Sequence, residues 1–244
     1  LASLGVKFFK GLPQGDIQVP VMGAGSVGWA SEMGNASAGD PSFTHVTLQP
    51  KRLTAYVDIS KQLIMQDNLG AEEAIRRDLV NAINDKLEAT IFGNAAGDST
   101  KPAGMFYGSN AARDLSDATT FAKLCGVEAG LETANVTGEV KYLLSPGAKA
   151  DLRAMAKNGN GSKTVFENGD VDGVPAIVTS NVAAGKFIYG NFSNLAVGSW
   201  GNIEITIDEF TQATAGCVRL VVNAYFDAKI LREAAFAFGR TRSL

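Results

Sequence analysis

Histidine, cysteine and dense charge are what this sequence has least of. His45 is the single histidine among 244 residues, so acid–base chemistry near neutral pH would rest on one imidazole or on perturbed groups of other types. It lies in a polar stretch feeding a strand, where a solvated or interface role fits better than a general base. The two cysteines, Cys125 and Cys217, are far apart, match no zinc spacing, and read as small reduced thiols of a reducing compartment. No apolar run approaches a membrane-spanning helix, and the opening "LASLGVKFFKGLPQG" lacks the charged start and apolar centre of a secretion signal. The chain therefore reads as soluble and intracellular. Charged residues make up 19% with a net charge of -3, and no basic cluster exceeds Lys51-Arg52 or Arg76-Arg77, which argues against a dedicated nucleic-acid surface. Charge this sparse leaves two explanations open: neutral polar faces of a β-rich fold, or surface covered by other chains.

What is plentiful is glycine, with 27 copies beside an apolar fraction of 45%, the mark of a folded chain with many turns. Gly23, Gly25 and Gly28 reproduce the G-x-G-x-x-G spacing of a dinucleotide turn. That turn needs a buried strand before it and a helix opening at the third glycine, and Gly34, Gly39 and Pro41 interrupt any such helix. A nucleotide-cofactor oxidoreductase is thus an alternative with little behind it. "GAGSVG" also misses the G-x-S-x-G nucleophile elbow. Asp58, Asp208 and Asp227 fall on polar strand faces, where solvation or ion pairing accounts for them. "ENGDVDG" at Glu167 lacks the closing glutamate of a calcium loop and reads as a hairpin turn. No catalytic, cofactor or metal residue is assigned.

The first 45 residues hold no lasting period and read as an extended arm or loop. Leu53, Ala55, Val57 and Ile59 then alternate with polar residues as a strand with one buried face. Ile75, Leu79, Ile83, Leu87 and Ile91 recur every fourth residue, predicting a helix of about 34 Å that Asp67 or Asn68 caps and Gly93 ends. A second helix is expected over about 118–133, a third from Ser145-Pro146, and two long alternating strands, "NIEITID" and "CVRLVVNAYFDAKI", near the end.

In this order the elements carry a resemblance. Trp29 to Glu32 as Trp-Ala-x-Glu, Phe43, the strand ending Ile59-Ser60, Asp67, the long helix, a Phe-Gly-Asn turn, Pro102-Ala103-Gly104, "VDGVPAIVTSNV" and "VRLVVNAYFDAKILREAAFAFGR" together resemble the major capsid proteins of tailed bacteriophages. The resemblance implies an α+β Hong Kong-type capsid fold. Residues 1–26 would be an amino-terminal arm, 27–57 an extended loop, 58–114 and 201–244 a peripheral domain with a spine helix over about 71–93, and 115–200 an axial domain. It implies self-association into pentamers, hexamers and a shell around double-stranded DNA, with no cofactor and no membrane. A portal, scaffold or protease would assist assembly in the host cytoplasm, and the product would be a virion capsid. Inter-subunit contacts are expected at Gly25, Gly28, Trp29, Glu32, Phe43, Lys51, Arg52, Arg76 and Arg77. The start at Leu1 is compatible with removal of an amino-terminal scaffold segment, and the absence of lysine between Val27 and Pro50 implies noncovalent shells. An encapsulin-type compartment, which shares the fold, is the nearer alternative.

Overall fold

A computed structural model describes residues 1–23, 29, 32, 43–66, 70–108, 115–157 and 163–242. In chain order its strands and α-helices are β1 (Lys7–Phe9), β2 (Ile17–Met22), β3 (Phe43–Leu48), β4 (Lys51–Ser60), α1 (Lys61–Gln66), α2 (Ala71–Ile91), β5 (Ser116–Asp117), α3 (Phe121–Thr133), β6 (Lys141–Leu144) and α4 (Pro146–Ala154). They continue with β7 (Phe166–Glu167), β8 (Asp170–Val171), β9 (Val174–Val178), β10 (Lys186–Gly190), β11 (Leu195–Ser199), β12 (Glu204–Asp208), β13 (Cys217–Ile230) and β14 (Phe236–Arg240).

The fourfold recurrence becomes α2, with Leu79, Ile83, Leu87 and Ile91 buried. Its N-cap is Gly70 in the left-handed region, a conformation glycine adopts without penalty; Asp67 and Asn68 lie outside the described residues. After Phe92 the chain doubles back: Met105 N donates to Ile91 O at 2.7 Å and Phe106 N to Gly93 O at 3.1 Å. A Cβ at Gly104 would sit 2.1 Å from Gly93 O, so only glycine allows this return. The Phe-Gly-Asn and Pro-Ala-Gly pieces are the two sides of that one contact.

Two large sheets follow from the alternating segments. In a five-stranded sheet β13 pairs with β4 along one edge, and with β12 and then β11 elsewhere along its length, while β1 adds to β11. A seven-stranded sheet runs β5-β14-β10-β6-β9-β8-β7. Ile59, Leu79, Ile83, Leu220, Val222 and Ala224 form the core between α2 and the first sheet. Leu87, Ile91 and Phe92, at the far end of α2, enter a second core with Leu143, Ile188, Phe236 and Phe238 of the seven-stranded sheet. The other face of that sheet packs on α3 and α4 through Leu124, Leu131, Tyr142, Leu144, Leu152 and Phe187. Ser145 Oγ accepts Ala148 N at 3.1 Å ahead of Pro146, the expected helix start. Asn168 and Gly169, both at positive φ, turn β7 into β8, so "ENGDVDG" is a hairpin.

Expected boundaries differ from the pairing in several places: Leu195–Ser199, counted with the axial domain, pairs with β13, and Lys7–Phe9, counted with the arm, joins the same sheet. Ile17–Met22, counted with the arm, pairs antiparallel with Phe43–Leu48 as a hairpin; its alternation spans only six residues and carries Pro20, which reads against a strand. Phe236–Arg240, counted with the peripheral domain, pairs with Lys186–Gly190 in the seven-stranded sheet. That partnership lies far off in sequence and has no local signal.

Candidate assembly surface

The hairpin β2–β3 is fixed at its base. Leu48 and Val19 are buried there against Ala196 and Trp200, and Trp200 Nε1 donates to Gly15 O at 2.9 Å. Asp227 of β13 completes the anchor. Fully buried, its carboxylate accepts Gln49 N at 2.9 Å and Ala228 N at 3.0 Å, and lies 3.6 Å from Lys51 Nζ. Lys51 Nζ also donates to Lys101 O at 3.1 Å, and Gln49 Nε2 to Asp16 Oδ2 at 2.9 Å. One acid thus joins β13, the link between β3 and β4, and, through Lys51, the loop after α2. Burial of a carboxylate is tolerable only with such compensation. The alternation placed Asp227 on a polar face; the hairpin base covers that face, so the ion pair is buried rather than solvated.

Outward along the hairpin, the described residues become exposed. Met22 and Phe43 are directly opposed partners at its outer end, 67% and 64% exposed. Trp29 is fully exposed and Glu32 exposed, whereas Gly25 and Gly28 lie outside the described residues. His45 is exposed on β3.

A second exposed region spans β4, β13 and β12, where Asp58, Arg219 and Asp208 are aligned partners. Arg219 grips Asp58 through two hydrogen bonds of 2.7 and 2.8 Å, and its guanidinium lies 4.3 Å from the Tyr56 ring centre. That grip holds the Asp58 carboxyl below its ordinary pKa, and the Thr211 hydroxyl and nearby amides do the same for Asp208. Nearby in sequence, Tyr56, Leu63, Met65, Ile207 and Phe210 are large apolar residues left exposed. Arg52 is exposed opposite Tyr225; on α2, Arg77 is exposed and Arg76 half-buried. The expected contact residues therefore do not converge on one cavity. They spread over a hairpin, a sheet edge and a helix, with Lys51 turned inward.

Sequence spacing missed one cluster. Ligating atoms of Cys125, Glu128 and Asp172 lie within 4.8 Å of one another. Tyr142 Oη donates to Glu128 Oε1 at 2.5 Å, and Lys157 pairs with Asp172. Burial pushes the Glu128 carboxyl and the Cys125 thiol above their ordinary pKa values. Both acids are answered by this chain's own groups. A cleft of about 440 Å³ beside Lys51, Gly104, Lys229 and Glu233 includes Asp98. The Thr100 hydroxyl and the Thr100 and Lys101 amides hold its carboxyl down to about 2, so it is poorly suited to act as a base.

Among the described residues the hairpin thus has a buried base and an exposed outer end, and exposed apolar side chains lie at several separate places. The chain belongs to the phage capsid family, whose profile matches residues 7–241. It is 26% identical over 247 residues to the major capsid protein of Halomonas phage phiHAP-1, covering 98% of this chain and 40% of that protein. The chain thus spans 40% of the length of the curated relative it matches. Among solved structures it is similar to the capsid of a native GTA particle, at 15% identity and TM-score 0.76 over 98% of this chain and 88% of that one. A chain from Mycobacterium phage Adephagia matches at 13% identity and TM-score 0.75, over 99% and 89%. One from Gordonia phage Cozz matches at 17% and 0.70, over 100% and 86%. These likenesses establish the expected α+β Hong Kong-type fold. The family is one of structural capsid proteins, not enzymes, which removes the oxidoreductase alternative.

Proposed function

We propose that this chain is the shell-building part of a major capsid protein. Copies associate as pentamers and hexamers, close an icosahedral shell, and enclose double-stranded phage DNA without reading its sequence. The carrying observation is the Met22–Phe43 pair: two apolar side chains, opposed on a hairpin with a buried anchor, and exposed in the single chain. Burying such a pair against a neighbour removes apolar surface from water and stabilises association by roughly 1.5–3 kcal/mol per fully covered side chain. Repeated around a ring, small contributions close a symmetric shell.

In this reading the hairpin with its tip is the extended loop, lapping onto the next subunit with Trp29, Glu32 and Phe43. The five-stranded sheet with α2 is the peripheral domain, where Arg52, Arg76 and Arg77 meet neighbours. Residues 115–194 together with β14 form the axial domain around ring centres, and β11 goes with the five-stranded sheet. Gly25 and Gly28 let the backbone bend close to another subunit. A portal, scaffold or protease acts with the chain in the host cytoplasm, and the shells are noncovalent. Sedimentation and negative-stain microscopy of concentrated protein test this: rings or closed shells are expected, dissociable in hot denaturing detergent. A strict monomer under all assembly conditions would refute it.

A further inference from the structure

Arg240 carries a polar atom that nothing among the described residues answers. Its Nε is closed off from solvent and meets no hydrogen-bond acceptor. A buried donor left unmatched is costly, and native chains keep few. Arg240 ends β14, directly opposite Lys186 of β10 on one side and Asp117 of β5 on the other. Paired positions share a sheet face, so one row reads acid, cation, cation. The acid is already engaged: Asp117 Oδ2 takes Lys123 Nζ at 2.5 Å and Oδ1 accepts Thr119 N at 2.9 Å. Lys186 Nζ sits 5.5 Å from the Phe106 ring centre. Two half-buried cations therefore face each other across the ladder, where like charges destabilise the pairing.

We propose that Arg240 and Lys186 receive a carboxylate from a second copy of this chain when subunits associate. The inference rests on the assembly reading above. A carboxylate matches the planar edge of a guanidinium with two parallel hydrogen bonds, and rotation about the terminal torsions turns the Arg240 Nε edge toward it. The chain itself supplies the acids, with 25 Asp and Glu against 22 Lys and Arg. A DNA phosphate fits less well: backbone binding uses a field of cations, and here the row holds two beside Asp117.

The test compares wild type with R240Q, R240K and K186Q in the full chain. It reads the melting temperature of unassembled subunits, the critical concentration for assembly, and binding of a short double-stranded DNA. R240Q is expected to melt no lower than wild type, since the unmatched donor is gone, while its critical concentration rises about tenfold or more. K186Q raises it less, and R240K restores only part, because an ammonium cannot present the paired edge. Wild type that assembles beside an R240Q that assembles equally well overturns this inference alone; a wild type that never assembles overturns it together with the assembly reading. Loss of DNA binding with unchanged assembly overturns it in favour of a phosphate. Should R240Q fail to fold, K186Q decides: an unchanged critical concentration overturns the proposal.

Discussion

The two ends of the β2–β3 hairpin answer opposite physical demands. At the base, Asp227, Gln49 and Lys51 satisfy one another while Leu48 and Val19 are buried, so the single chain already holds what it needs. At the outer end Met22 and Phe43 stand in water. In the proposed assembly the outer end is completed by a neighbouring copy, and the boundary between the two states falls within a six-residue strand.

Breaking the base should do the most damage. Asp227→Ala leaves Lys51 without its ion partner and the Gln49 and Ala228 amides without an acceptor, and is expected to cost the subunit about 3–5 kcal/mol, read by denaturant unfolding. Leu48→Ala, at a fully buried position, should cost about 2–4 kcal/mol in the same assay. Either variant losing under 1 kcal/mol would mean that the base does not hold the hairpin.

Acid provides a gentler contrast. Asp58, Asp151 and Asp208 have folded-state pKa values below their ordinary ones, through Arg219, through Arg242 and through Thr211 respectively. Each gives up stability as pH falls from the usual carboxylate range through its lowered folded value, and contributes fully above that range. Melting temperature should therefore decline below about pH 4, with a shallower slope in Arg219→Gln. An identical slope would show that the Asp58 pair contributes nothing to acid sensitivity. The smallest stability effect belongs to the outer end: Met22→Ser with Phe43→Ser should change unfolding by within about 0.5 kcal/mol for each surface position, yet abolish assembly in sedimentation. A large loss of subunit stability would erase the proposed difference between the two ends.

Local periodicity made α2, β4 and β13 legible, because one buried face imposes its repeat on the residues themselves. Asp227 was legible as a charge in a strand but not as a buried one, since its covering comes from Leu48 and Gln49 far away in sequence. The β2 strand escaped for another reason: Ile17, Val19 and Val21 do alternate with exposed Gln18, Pro20 and Met22, but the run is six residues long, holds a proline and is flanked by glycines. Glu128 and Asp172 likewise meet only through folding. The ordered motifs that carried the resemblance were more informative than any single site, because what they encode includes close approaches such as Gly93 against Gly104.

Spine helix α2 is seated in two separate cores, Leu79 and Ile83 in one, Leu87 and Ile91 in the other. The two seats lie eight residues apart, about 12 Å along the axis, so a pivot of about 5° at one displaces the other by about 1 Å. Leverage of that kind means that a loosened methyl group at Ile83 is felt as misalignment in the core that holds Phe236. The helix is the ruler by which one sheet sets the position of the other.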